Sequence, residues 1–295
     1  PAETKHVSPP FVKDGTLLAC AEMLRGGVTC MNDMYFFPEA ALEAVLEAGM
    51  RAALGVIVVE FPSAYAADPD QYLAKGLALR DEWREHPRLA FCLAPHAPYT
   101  VSDASFRKVA QLAAELDLPV HVHVHETRDE IERSMAEHGE RPLARLARLG
   151  LLGPDLISVH SVHLEPAEIA LLARHGCSIA HCPSSNLKLA SGLAPVAALA
   201  AAGVNIALGT DGGAIYEYDE EIGQLHLRAT QTLDAELVEA LQVAPLSLGE
   251  GAVGRAVATR APVQVPDILV EGAYASRVRD VMAGAGHRGL LAVPL

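Results

Sequence analysis

The sequence predicts an α/β fold with parallel strands amounting to most of a (β/α)8 barrel, and three observations carry that prediction. Helix-period and strand-like segments alternate from about Gly15 to Gly212. His96, His125 with Glu126, His160, His181 and Asp211 each fall at the C-terminal end of a predicted strand. Past Gly213 the alternation stops and a hairpin-like pattern replaces it. Repeated strand–helix units imply parallel strands joined by right-handed crossovers. Doubly wound sheets share that rhythm, so the placement of the polar residues decides. In a barrel all strand ends converge on one mouth, whereas an open sheet would spread them along a crevice.

Apolar residues at three- and four-residue spacing predict helices over 15–25, 39–48, 72–85, 103–116, 128–136, 142–149, 166–175 and 194–202. Short apolar runs near 28–34, 51–59, 89–95, 119–125, 156–162, 177–182 and 205–210 predict seven strands between them. Beyond a boundary near 213 come two short strands (Ala214–Asp219, Gln224–Ala229), a helix (Asp234–Gln242), a Gly-rich stretch from Leu248 to Arg255 and an apolar tail, Leu290–Leu295. This part reads as an α+β module. Its glycines lack the Lys-Ser/Thr of a phosphate-binding loop and are expected to make turns.

The 295 residues suffice for a large α/β domain with a smaller one, and 51% apolar content supports a substantial core. No apolar run is long enough to cross a bilayer and no signal peptide is visible. The chain begins at Pro1, which suggests a fragment or processed product. A net charge of −14 without a basic stripe argues against nucleic acid as a partner. Five scattered cysteines in apolar segments read as reduced thiols of a cytoplasmic protein. None forms a Cys-x-x-Cys pair, which excludes a zinc site of the Pro-Cys-x-x-Cys type.

The chemistry concentrates in Pro119–Thr127. Alternating Val and His puts His121, His123 and His125 on one face of a strand and three valines on the other. A single strand histidine is usually a satisfied core residue, but burying several unpaired rings costs on the order of 1–3 kcal/mol each. A divalent metal relieves that cost, and Glu126, just past the strand, stands where a general acid/base would. Asp211 is either an ordinary Asp-Gly turn or an anionic ligand that balances the cation. Of His160 and His163, three apart, only one can face the mouth; His160 is nearer the strand end and His163 reads as structural. His96 sits on a rigid perch between Pro95 and Pro98, able to hold a substrate group or simply a loop histidine. His181 reads as structural support.

HVHVHET, SVHSVHL, AHCPSSNLKLASG and GTDG, in that order, resemble the amidohydrolase superfamily, and within it the 5′-methylthioadenosine/S-adenosylhomocysteine deaminases. PAETKHVSP and LLACAEMLRGGVTCMNDMYFFPEA resemble the same group. The likeness covers residues 1–213 and implies a TIM-type metallo-dependent hydrolase barrel. It also implies that His123 and Asp211 ligate one divalent metal, zinc first and iron second, with His160 beside the metal-bound water. Glu126, His160 and Asp211 become the catalytic residues, and Glu3, His96 and Glu126 the substrate contacts. The implied reaction replaces the amino group at C6 of an adenine nucleoside with oxygen and releases ammonia. The family's first strand, with its His-x-His ligand pair, precedes the PAE segment and is expected to be absent. Residues 214–295 resemble part of a GAF module through IYEYDEE, LHLRAT, LGEGAVGRAVATRAPVQVPDI and GHRGLLAVPL. Two other readings stand beside this one: a sensory or ligand-binding fusion with a relic barrel, and an amidohydrolase for a different amino-heterocycle. The first gains from a missing strand and the second from altered loops. The expected partner is a small molecule, with no nucleic acid or membrane, and open strand edges allow a homo-oligomer.

Overall fold

The computed structural model describes residues 7–211, 214–219, 224–230, 239–241, 245–259, 263–265, 268–270, 272, 274–284 and 290–292. The chain divides into two compact units, one of Val7–Leu187 with Ser191–Thr210, the other of Pro1–His6, Lys188–Ala190 and Asp211–Leu295.

The larger unit is built on seven strands: β1 (Cys30–Asp33), β2 (Arg51–Val58), β3 (Leu89–Pro95), β4 (Val120–Val124), β5 (Leu156–His160), β6 (Ser178–His181) and β7 (Asn205–Leu208). They form one parallel sheet in strict chain order, β1 to β7. A doubly wound sheet must reverse its order at a switch point; this sheet does not. The order is that of a TIM-type wall, with β1 and β7 as its edges.

Helices alternate with the strands, and local chemistry sets their limits. They are α1 (Pro9–Arg25), α2 (Pro38–Ala48), α3 (Pro69–Trp83), α4 (Asp103–Leu116), α5 (Arg128–His138), α6 (Pro142–Arg148), α7 (Pro166–His175), α8 (Pro183–Lys188) and α9 (Val196–Ala201). Ser8, Asp68, Ser102 and Thr127 cap α1, α3, α4 and α5 by accepting a first-turn N–H. Glu165 and Glu168 form a capping box on α7. Left-handed Gly49, Gly139 and Gly176 close α2, α5 and α7.

Three expectations for this unit need correction. Helix α1 starts at Pro9 rather than at 15, because Ser8-Pro9 supplies both an N-cap and an N1 proline. The short α8, over residues expected to be loop, starts at Pro183. His125 does not share a face with His121 and His123: its φ of 56° breaks the pleat after Val124. The valines behave as expected, with Val120, Val122 and Val124 all buried.

The smaller unit holds β8 (Ala214–Asp219), β9 (Gln224–Thr230), β10 (Leu246–Ser247), α10 (Gly251–Thr259), β11 (Val263–Val265), α11 (Arg279–Gly284) and β12 (Leu290–Ala292). β8, β9 and β10 form an antiparallel sheet, and β11 pairs antiparallel with β12. Its core gathers Leu225, Leu246, Ala252, Ala256, Ile268 and Met282. The Gly-rich stretch is a turn only through Glu250; from Gly251 it is helix, because the small residues let α10 form directly behind the turn. Of the helix expected over 234–242, residues 239–241 are helical and the rest lie outside the described residues.

Helix α3 crosses β2 at Gly76, where an added Cβ would stand 2.5 Å from Val56 Cγ1. Gly76→Ala gains about 1 kcal/mol of helix propensity but overpacks a closed contact, at about 1–3 kcal/mol. The expected net result is a lower urea midpoint at unchanged m-value; a midpoint equal to or above the parent's would show that the contact yields.

Candidate metal centre

Main-chain bonds tie the strand ends together across the sheet. His96 N donates to Val58 O (3.1 Å), His123 N to His96 O (3.0 Å), Ser161 N to Val124 O (3.0 Å) and Gly209 N to His181 O (2.8 Å). The side chains stand on this rung.

The His123 Nδ1 lies 2.9 Å from the same His96 carbonyl. A carbonyl can only accept, so Nδ1 carries the proton and Nε2 the lone pair. The His96 ring packs edge-on against His123 at 5.1 Å, and its Nδ1 meets Thr100 Oγ1 at 2.8 Å. Buried Arg145 pins the loop around them by donating to Asp103 Oδ1 (2.7 Å) and to the Pro98 and Val101 carbonyls.

By register His160 pairs with Val124, whose side chain is on the helix-covered face. A φ of 68° at His160 departs from that pleat, and the ring lies 5.3 Å from His123. Histidine tolerates the left-handed region better than most residues. Its Nδ1 is 3.0 Å from Asn186 Oδ1, and its Nε2 is 3.6 Å from Glu126 Oε2. Asp211, also left-handed at φ 44°, follows β7. The approach to it requires glycine at 209, where a Cβ would meet Cys182 Sγ at 2.7 Å.

His123, His160 and Asp211 each offer a ligand atom, and these atoms lie within 4.8 Å of one another. A common point therefore exists within roughly 2.8 Å of all three, against ~2.0–2.2 Å for finished zinc–nitrogen and zinc–oxygen bonds. Two imidazoles and a carboxylate suit a divalent cation.

The other predicted residues fall outside this set. His125 is fully buried and occupied: Nδ1 sits 3.1 Å from His163 O, and Nε2 accepts from Leu143 N (3.1 Å). Burial holds its imidazole below the usual range. The His163 carbonyl also accepts from Arg141 Nη2 (2.6 Å), which gives that residue a structural role. His181 is buried at the end of β6, and its Nδ1 has no partner among the described residues. The His121 ring packs at a tilt 5.9 Å from His123, and burial beside His123 and His160 pushes it down to about 3. Glu3 lies outside the described residues. An open cleft of about 620 Å³ is lined by Phe61, Tyr99, Thr100, Arg133 and His138 among others; none of the three donors lines it.

Two residues of this neighbourhood went unread in the sequence, Asn186 and Glu130. Buried Glu130 accepts from His125 N (3.0 Å) and Glu126 N (2.8 Å), so it aims the backbone that carries Glu126. Its signal was present: Thr127-x-x-Glu130 has the form of a capping box, displaced here by one residue.

Residues 2–269 match the profile of the amidohydrolase family. A 5-methylthioadenosine/S-adenosylhomocysteine deaminase from Teredinibacter turnerae is 53% identical over 72% of this chain and 48% of its own. One from Saccharophagus degradans is 41% identical over 98% of this chain and 61% of its own. The chain thus spans about half to three fifths of the length of these curated relatives. The crystal structure of an adenosine deaminase from Xanthomonas campestris with bound zinc superposes with a TM-score of 0.70, at 52% identity over 72% of this chain and 48% of that one.

Burial raises the Glu130 carboxyl to about 7, against the pull of its backbone donors. The folded chain then holds this proton more tightly than the unfolded one. The associated stability is complete below about pH 4.5 and is lost as pH rises through about 7, by roughly 3 kcal/mol. Glu130→Gln should flatten that part of the stability–pH curve in urea titrations. Parallel curves for the two proteins between pH 4.5 and 7 would refute it.

Proposed function

Because the chain belongs to the amidohydrolase family, we propose that it is built for metal-dependent deamination of an adenine nucleoside such as S-adenosylhomocysteine, 5′-methylthioadenosine or adenosine. The observation that carries the reading is the convergence of His123, His160 and Asp211, with the Glu126 carboxylate 3.6 Å from His160 Nε2. The deaminase names of the two relatives and the zinc in the Xanthomonas enzyme support it. Zinc is the preferred ion and iron the second.

A divalent cation at this site supplies Lewis acidity that makes water nucleophilic near neutral pH. The chain's own groups do the rest. Glu126, at the mouth, relays one proton of the attacking water to the ring nitrogen. Asp211 takes the other and returns it to the leaving amino group, so that ammonia departs as the C6–N bond breaks and a C6 carbonyl forms. His160 stands beside Glu126 and orients the water. His96, held by Thr100 and braced through Arg145, contacts the base from the β3 side. Glu3 completes the substrate contacts.

The GAF-like reading of 214–295 rests on its motifs, the division of the chain near residue 211 and the antiparallel β8–β10 sheet. The amidohydrolase match running to residue 269 and the Saccharophagus alignment over 98% of the chain weigh the other way. Five cysteines outside any disulfide support a reducing, cytoplasmic compartment. No described helix is long and apolar enough to cross a membrane. The edges at β1 and β7, with Leu208 80% exposed, support a homo-oligomer.

Zinc-loaded chain should release ammonia from at least one of the three nucleosides, and Glu126→Gln should lower kcat at least about 100-fold. No ammonia from any of them would reject the assignment. His123→Ala should lose stoichiometric zinc in mass spectrometry; equal metal in both proteins would discredit the site. Light scattering should show more than one copy per particle, and a monodisperse monomer would end the oligomer reading.

A further inference from the structure

Strand β5 ends in a turn that exchanges its two faces. His160, at φ 68°, is the centre of it: Ser161 N donates to Val159 O, two residues back, at 3.0 Å. This is the γ-turn of positive φ, a rare and strained form. Ser161 follows at φ 51°, also left-handed. Neither residue is glycine, so the surroundings must hold the chain in this conformation.

Main-chain bonds do only part of that. Ser161 N also donates to Val124 O at 3.0 Å, but a straight parallel ladder would make the same bond, because Val124 and His160 are register partners. The side chains distinguish the turned chain from the straight one. By register Ser158 pairs with buried Val122, on the helix-covered face. In a pleated strand residue 161, three further on, would point to the opposite face. Instead the Ser158 and Ser161 hydroxyls share a hydrogen bond of 2.9 Å, with 1% and 0% of the two residues exposed. The same turn therefore carries Ser161 to the covered face and the His160 ring to the mouth. There the ring lies 5.3 Å from His123, and its Nε2 is 3.6 Å from Glu126 Oε2. Straightening the strand would part the two hydroxyls, and a buried hydroxyl left without a partner is costly.

We propose that Ser158 and Ser161 are positioning residues: their buried hydroxyl pair latches the turn at His160 and so keeps that imidazole at the mouth, beside Glu126, where it orients the attacking water. The kinetic consequence rests on the deaminase reading of the site. The placement of the ring does not.

The test uses the zinc-loaded full chain with ring-labelled histidine. A nuclear Overhauser contact between the His160 and His123 ring protons reports the turned-in ring, and His160→Gln assigns the signals. The parent should show that contact. Ser158→Ala removes the latch and should weaken it. The same variant should lower kcat about tenfold, the worth of one buried hydrogen bond, with KM within about twofold of the parent's because neither serine touches the substrate. Adding Ser161→Gly to Ser158→Ala should restore the contact and most of kcat, since glycine holds φ 51° without strain and leaves no hydroxyl unbonded. A parent without the ring contact would overturn the proposal. So would an unchanged contact in Ser158→Ala, or a loss confined to KM. A double variant no better than Ser158→Ala would overturn it as well, because lost packing alone gives that result. Should Ser158→Ala fail to fold, Ser158→Cys, whose thiol bonds more weakly, decides by the same readouts. No ammonia from any of the three nucleosides would remove the deaminase reading, and the ring contact in parent and variant would still decide the latch.

Discussion

The rung of main-chain bonds at the strand ends is what the candidate site depends on. His96 O receives two bonds from one residue, His123 N and His123 Nδ1, and so fixes both the height of β4 and the aim of its imidazole. His96 N in turn donates to Val58 O, and Gly209 N to His181 O. Each strand end is therefore placed by its neighbour rather than by its own side chains. A cluster assembled from separate strand ends needs that kind of support, because a displacement of about 1 Å is enough to lose productive geometry.

Superimposed on the rung are breaks in the pleat. His125, His160 and Asp211 all have positive φ, and each break re-aims a side chain. At His125 it removes an imidazole from the mouth and sends it among α6 and α7. At His160 it does the reverse and brings a ring beside His123. The cluster thus depends as much on where regular strand stops as on the strands themselves. Burial adds an electrostatic condition: it lowers the affinity of both the His121 and the His125 imidazoles for a proton.

The larger unit was legible because its periodicities are strong. The Val–His alternation located β4 and its face, and the seven apolar runs located all seven strands. His123, His160 and Asp211 stand out in the sequence because each lies near the C-terminal end of an apolar run, those of β4, β5 and β7. The errors have a common physical source. Period-two reasoning extends a strand until composition changes, and it cannot see a residue entering the left-handed region, so His125 was placed on the wrong face. Helix α8 is only six residues long, too short for any periodicity to show. Asn186 was missed with it, since an amide inside a polar run such as Ser184-Ser185-Asn186 reads as loop until the helix buries it.

The contrast between the two imidazole supports has a hereditary side. The acceptor for His123 belongs to the backbone, which every amino acid supplies alike, so no single base change at codon 96 removes it. The acceptor for His160 is a particular side chain on a six-residue helix and can disappear in one mutational step. Drift in this lineage therefore meets unequal resistance at the two imidazoles, and position 186 is where it meets the less.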